Sequence, residues 1–558
     1  MILKVRIFVL VLFFSVVTIS QTLNITVSEN NFGIDASNLI IVSRMENIEN
    51  FIDIQNNYTE VTISFNGSVF TFNTVPNSLS YSSSYSVFNT VGEFTLFFTS
   101  LPLIHIDSTI EIVDEPKTPA NFVYVGEEVI ESIIGIELHG ASSQTFPKKT
   151  YNIEFWDDEE GENSHNERLA NLRNDDDWIL DGLWNEPMRL RSYTANKYWL
   201  EIHTPSYSDD EPNAKPGVDV AYAEMFLNGS YNGIYLISEK VDRKLLKLKK
   251  YNDVIRGELY KSTSYQGAPG FSALIDFDNQ LRSWNNYDYK YPKENQETNW
   301  QNIYDYVDFV MHSTDEEFKN NIWNYFDKEN AIHFFIFTNF LRARDNTTKN
   351  TYLSKYKQST PYFMVPWDLD MIWGNSWNGS VDEEMGRIMS SRLFDRLIES
   401  SDRTLFLNDL IEAWDDLREG LISLESVESH VDIPYNYLVN NNIYNREYMV
   451  YPSHDFNTRD FISYRLENRL QFMDTYFNVL RFPASVSDPI KECYIYPNPS
   501  ANSIGISLDE DVVFKLYDIN NRLVLKGETK DKSIDVSVLN AGVYLLKIKN
   551  TIIKIVKL

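Results

Sequence analysis

Arg344-Asp345-Asn346-Thr347-Thr348-Lys349-Asn350, followed by Pro366-Trp367-Asp368-Leu369-Asp370, is the stretch on which the reading of this chain turns. It puts an acid, Asp345, and an amide, Asn350, on one short loop. A carboxylate can accept a proton from a hydroxyl, and an amide oxygen can ligate a metal ion. Residues 352–356 and 361–365 alternate in the manner of two strands and read as a β-hairpin turning at Lys357-Gln358-Ser359-Thr360. If Asp368 and Asp370 continue in extended chain, both carboxylates point to the same side. Two carboxylates there suit Mg²⁺, which takes a few acidic oxygens and completes its shell with water and phosphate. A carboxylate and an amide on a loop, a hairpin and then a pair of acids supply the kinds of group that position and neutralise a phosphoryl group.

Composition sets the frame. The 558 residues suffice for several domains, and 43% hydrophobic with 23% charged residues describe a folded chain. Fifty Lys and Arg stand against 80 Asp and Glu, a formal net charge of -30. Such a surface repels nucleic acid and anionic membrane and favours a cation or a basic partner. The first residues read as a secretory signal peptide over 1–20: Lys4 and Arg6 precede a short apolar run from Ile7 to Val17. That run is too short for a span, and no other segment approaches one. The chain is therefore expected outside the cell or on its surface. A single cysteine, Cys493, rules out an intrachain disulfide, which suits bacterial export.

Residues 21–113 are rich in strand signals and predict a small β-sandwich. Asn66-Gly67 marks one hairpin, and Ile104-His105-Ile106 supplies a late strand. A proline-containing linker, Glu115-Pro116-Lys117-Thr118-Pro119, follows. Residues 120–481 read as α+β, with strands first and helices later. Residues 331–341 form a buried helix leading into the Asp345 loop, and residues 456–479 form a long helix. After a second linker, short strands over 493–558 predict another β-sandwich.

The spacing Arg-Asp-x-x-x-x-Asn resembles the catalytic loop of protein kinases. Five further segments resemble the CotH (spore coat protein H) kinase family in its own order. They are residues 138–151 (from Leu138-His139-Gly140 to Thr150-Tyr151), Asp177-Trp178-Ile179-Leu180, Met188-Arg189-Leu190-Arg191, Asn228-Gly229-Ser230-Tyr231-Asn232-Gly233 leading to Glu239, and the Pro366–Asp370 box. The resemblance implies a two-lobed, atypical protein-kinase-like domain flanked by the two β-sandwiches. It implies an enzyme that uses ATP and Mg²⁺ or Mn²⁺, with Asp345 as catalytic acid–base and Asp368 or Asp370 as metal ligand. Tyr496-Pro497-Asn498-Pro499, Leu539-Asn540-Ala541-Gly542-Val543-Tyr544 and the closing Lys554-Ile555-Val556-Lys557-Leu558 resemble the type IX secretion C-terminal sorting domain. That resemblance makes the secretion machinery a partner.

Phosphates also need a cation, ordinarily a Lys oriented by a Glu. Lys149, entering a strand past a Gly/Ser-containing turn, is the first choice, with Lys148 facing the other way. Lys261 is its rival, and Glu239 is the orienting carboxylate. Arg189 or Arg191 offers a phosphate clamp. The kinase pattern is incomplete. No Gly-x-Gly-x-x-Gly occurs, Ala343 stands where ordinary kinases have His, and Asp368-Leu369-Asp370 replaces Asp-Phe-Gly. The expected acceptor is a protein Ser/Thr hydroxyl on a basic or Ser/Thr-rich partner of a monomeric enzyme. A sugar or small-molecule acceptor, or a non-catalytic adhesin on the same scaffold, is the alternative.

Overall fold

A computed structural model describes residues 21–452, 459–481, 495–496, 498, 500, 501–506, 511–519, 522–548 and 551–557. The segment read as a signal peptide and the second linker lie outside them. From Thr22 to Thr99, seven strands hydrogen-bond in one continuous ladder around Ile41, Val61, Phe65, Phe70 and Leu96. The strands follow one continuous order, with the first and the second at its two edges. Asn66 (φ 46°) and Gly67 (φ 85°) make the expected tight turn between Glu60–Phe65 and Ser68–Phe72.

The strand Leu103–Asp107, expected in that N-terminal unit, belongs elsewhere. It pairs in parallel with Val220–Leu227 and antiparallel with Thr118–Val125. Together with Val129–Leu138, Tyr151–Trp156, Asp177–Asp181 and Ser230–Ser238 these strands close a seven-stranded barrel. The alternation of Ile104, Ile106, Phe122, Ile153, Phe155 and Trp178 explains the placement: each is buried in one shared core. Each such side chain contributes about 1.5–3 kcal/mol on burial.

Helices follow, packed on a five-stranded sheet. Its last two strands, Thr351–Lys355 and Tyr362–Pro366, form the expected hairpin with Ser354 opposite Phe363. The helix Lys328–Leu341 is buried along nearly its whole length. Asp327 caps its start by accepting from the Asn330 N–H, and Asn330 in turn clasps the Met364 backbone at 2.8 and 3.0 Å. Near the C-terminus, a three-stranded and a four-stranded sheet share a core built on Ile504, Leu516, Ile534, Leu546 and Ile555.

A short helix packs closely against the barrel. In Ile443–Val450, Arg446 makes a two-pronged ion pair with Glu224 (2.6 and 2.7 Å), whose carboxylate also accepts from Tyr231. Its neighbour Glu447 accepts from Lys148 (2.6 Å), Arg189 (2.8 Å) and the Ile234 N–H (2.7 Å). All five charged side chains of these two clusters are shut away from solvent. Gly233, at φ 81°, passes so close to Glu447 that a Cβ would collide with the carboxylate. Burial alone would raise the Glu447 pKa, but Lys148 and Arg189 hold it down to about 2, against an ordinary 4.5. The charged pair is therefore fully stabilising above about pH 4.5, and its contribution falls as pH drops toward 2. Glu447→Gln leaves two buried cations without their anion and is expected to cost about 3–5 kcal/mol at pH 7. Scanning calorimetry checks both points: a lower midpoint at pH 7, and a smaller further loss than the parent between pH 5 and pH 3.

Candidate active site

Leu341 ends its helix against Arg342, which adopts a left-handed conformation (φ 52°), and Arg344–Asn346 turn once as a 3₁₀ helix. This delivers Asp345, largely buried, to the edge of a cavity of about 360 Å³. One carboxylate oxygen accepts from the Tyr265 hydroxyl, and the other pairs with Lys349 at 3.2 Å. Asn346, buried beside it, donates to the backbone carbonyls of Asn350 (3.0 Å) and Trp367 (2.6 Å). The two halves of the sequence motif are thus tied together by one amide.

Asp345, Asn350, Asp368 and Asp370 all line this one cavity, as the motif required. Extended alternation is not the means. The strand stops at Pro366, and Asp368 sits in a left-handed turn (φ 59°), as does Asn350 (φ 51°). Asn350 donates to Asp368 at 3.1 Å. Asp370 accepts from Asn185, a residue the motif reading did not include. Asp181, also missed, lines the same wall and accepts from Thr150 (3.0 Å) and the Leu183 N–H (3.0 Å).

Of the phosphate-binding expectations, Lys261 is the one placed in the cavity. Its ammonium lies 5.9 Å from the Trp367 ring centre and 6.0 Å from that of Tyr352. Burial lowers its pKa, with Lys290 adding to the effect and Asp368 opposing it. Lys149 is turned away and braces the turn Ser142–Thr145 through the Gln144 carbonyl (2.8 Å). Glu239 reaches neither lysine. Its carboxylate is taken by Lys215 (2.7 Å) and by the N–H groups of Arg173 and Asp219, both at 2.9 Å. Arg189 is sealed behind the wall on Glu447 and on the carbonyls of residues 183–186. It fixes the loop that presents Asn185 but faces no cavity. A buried Lys–Glu pair does exist, but its members are Lys148 and Glu447. Arg191 is likewise buried, and its charge is balanced by Glu186. The acidic run at Asp175-Asp176 is spoken for by Lys244 and Arg173.

Asp368 opens to solvent inside the cavity yet is ringed by protein. Burial, then the charge of Asp181, push its pKa up to about 6, with Lys261 opposing. Asp370 is raised further, by burial and by Asp368 itself. Burial lowers His139, on the opposite wall, to about 4, so it is neutral at pH 7. The opening turn is walled by Gly140 (φ 85°), where a Cβ would strike the Ser143 hydroxyl. Among the described residues no three acidic, imidazole or thiol side chains gather closely enough to enclose an ion. The oxygen donors here instead match the sparse set that Mg²⁺ accepts when substrate and water fill its remaining positions.

Residues 136–478 match the family model described as CotH kinase protein, which is well over half of the chain. The chain therefore belongs to the CotH kinase protein family. Residues 494–558 match the secretion system C-terminal sorting domain, of type IX, which directs the protein to secretion or the cell surface. Among the described residues no helix is long and apolar enough to cross a membrane. The inner spore coat protein H of Bacillus subtilis is similar, at 21% identity over 269 residues. That match spans 48% of this chain and 66% of the relative.

The raised pKa values of Asp368 and Asp370 mean that their charged forms are disfavoured in the folded protein, so each loses stability for the fold as pH rises through its titration. Asp370→Asn removes one of these charges and keeps an oxygen for Asn185. Without divalent cations, its thermal midpoint is expected to rise above the parent's by a few degrees once pH exceeds the titrations of both carboxylates, as for relieved functional sites generally. A midpoint at or below the parent's would show that Asp368 and Asp370 do not oppose each other.

Proposed function

We propose that the protein is a secreted kinase that transfers the γ-phosphoryl group of ATP to a Ser or Thr hydroxyl of a protein. One observation carries this reading: Asp345, Asn350, Asp368 and Lys261 converge on a single cavity. A binding protein of the cell surface has no need to hold mutually repelling carboxylates around one cavity beside a lysine.

The residues divide the work as follows. Asp345 accepts the acceptor hydroxyl's proton as its oxygen bonds to the γ-phosphorus, and the electron pair of the breaking P–O bond leaves with ADP. Lys349 fixes the orientation of the Asp345 carboxylate, whose other oxygen holds the Tyr265 hydroxyl before an acceptor binds. Lys261 faces the phosphates as the fixed cation, and the turn Ser142–Thr145 covers them with backbone and hydroxyl groups. Asp368, with Asn350 and Asp370 beside it, would hold Mg²⁺ or Mn²⁺. The ion supplies charge neutralisation for the phosphates.

Two measurements test this. Calorimetry is expected to show ATP binding that requires Mg²⁺ or Mn²⁺ and is lost in Asp368→Asn. No nucleotide binding with either metal overturns the reading. Asp345→Asn is expected to lower phosphoryl transfer by about 10²–10⁴-fold while ATP binding persists, the usual range for a general base. Transfer at the parent rate would remove that role from Asp345.

A further inference from the structure

A second cavity, of about 400 Å³, opens on the other side of the Asp345 loop. The loop is a partition. Asp345, Lys349 and Asn350 line the first cavity, while Arg342, Arg344, Thr347 and Thr348 line the second. Tyr265 belongs to the second cavity, and its hydroxyl passes through to donate to Asp345. A hydroxyl approaching from the second cavity thus already makes the hydrogen bond that an acceptor hydroxyl must make.

The second cavity is cationic, in a chain of net charge -30. Arg342, Arg344 and Arg387 line it against one carboxylate, Glu384. Arg342 and Arg344 share Asp382 at 3.0 and 3.2 Å, and Arg342 also reaches Glu384 at 3.4 Å. Arg387 is exposed, and the Arg344 side chain is 59% exposed. Two polar groups of this wall are buried without a hydrogen-bond partner: Arg342 Nε and the Ser391 hydroxyl. Donors in this arrangement recognise carboxylate or phosphate oxygens.

We infer that this cleft is the acceptor site, and that it takes an extended protein segment whose acceptor Ser or Thr is flanked by an anionic side chain, carboxylate or phosphate. The acceptor hydroxyl replaces that of Tyr265 on Asp345, while the flanking anion lies on Arg344 and Arg387. The net charge of the chain favours a basic partner, but the charges nearest Asp345 on this side select the opposite one. The inference rests on the kinase reading above.

The test uses the full chain, labelled ATP with Mg²⁺ or Mn²⁺, and four peptides carrying one Ser flanked by Ala, Glu, phosphoserine or Lys. The Glu- and phosphoserine-flanked peptides are expected to exceed the Lys-flanked one about tenfold in kcat/KM. Their mutual ratio tells which anion the cleft prefers. Arg387→Glu, at an exposed position, is expected to abolish or invert that order with ATP affinity unchanged, because like charges brought together are costly. Arg387→Lys should keep it. Preference for the Lys-flanked peptide, or an order unmoved by Arg387→Glu, overturns the acceptor-site assignment and leaves the kinase reading standing. Absence of both ATP binding and transfer to any peptide overturns the two together.

Discussion

The structure depends on a pair of neighbouring charges, Arg446 and Glu447, buried between the barrel and the helices. Burying ions is costly, and a buried pair replaced by apolar groups is often no less stable. What these pairs supply is position. Arg446 meets Glu224 on one barrel strand, and Glu447 meets Lys148, Arg189 and the backbone of the next. No rotation or slip of the helix satisfies both at once. The loop at residues 183–186, held by Arg189, is fixed by the same contact, and with it Asn185 on the cavity wall. The geometry of the site is thus referred back to a salt-bridge network that never touches it.

Within the site, Asn346 has the corresponding role at shorter range. Its single amide group bonds two backbone carbonyls, one from the Asp345 loop and one from the Trp367 turn. The hairpin between them does the coarse positioning, since its register places Thr351 opposite Pro366. Carboxylates from two separate turns can then face one another, although their repulsion and burial work against the fold. Like charges kept close are a stability cost characteristic of functional positions.

Local signals were legible in the sequence. The hairpin, the buried helix before it and the Asn66-Gly67 turn each rest on contacts a few residues apart, and each stands where the pattern put it. The spacing of Asp345, Asn350, Asp368 and Asp370 brought all four to one cavity. What was illegible was non-local. Alternation separates Lys148 from Lys149 but cannot tell which face holds a carboxylate, and that carboxylate, Glu447, lies 299 residues away. Glu239, which closes the segment running from Asn228, reads in sequence as the carboxylate that orients a phosphate-binding lysine. Its charge is instead absorbed by Lys215 and two backbone N–H groups. Left-handed turns at Asn350 and Asp368 defeated the extended-chain argument, because neither residue announces a positive φ. Ile104 to Ile106 alternates correctly for a strand, but periodicity does not say which sheet the strand joins.

Net charge shows the same distinction between whole-chain and local reading. A surplus of thirty acids describes the field at a distance, which salt screens within about 10 Å. At the Asp345 loop the field is set by the nearest side chains: cations stand among the acids of the first cavity and outnumber the one carboxylate lining the second. Lys261 and Lys349 face one cavity, and Arg342, Arg344 and Arg387 face the other. Asp345 lies at the boundary, with a lysine on one oxygen and a tyrosine hydroxyl on the other. In the proposed reaction an anion so placed would take the proton of the hydroxyl that displaces the tyrosine, and the neighbouring cations would offset the charge of the phosphates. Along a loop of nine residues, 342–350, Arg342 and Arg344 turn to one cavity and Asp345 and Lys349 to the other, so that the loop itself sorts the charges onto its two faces.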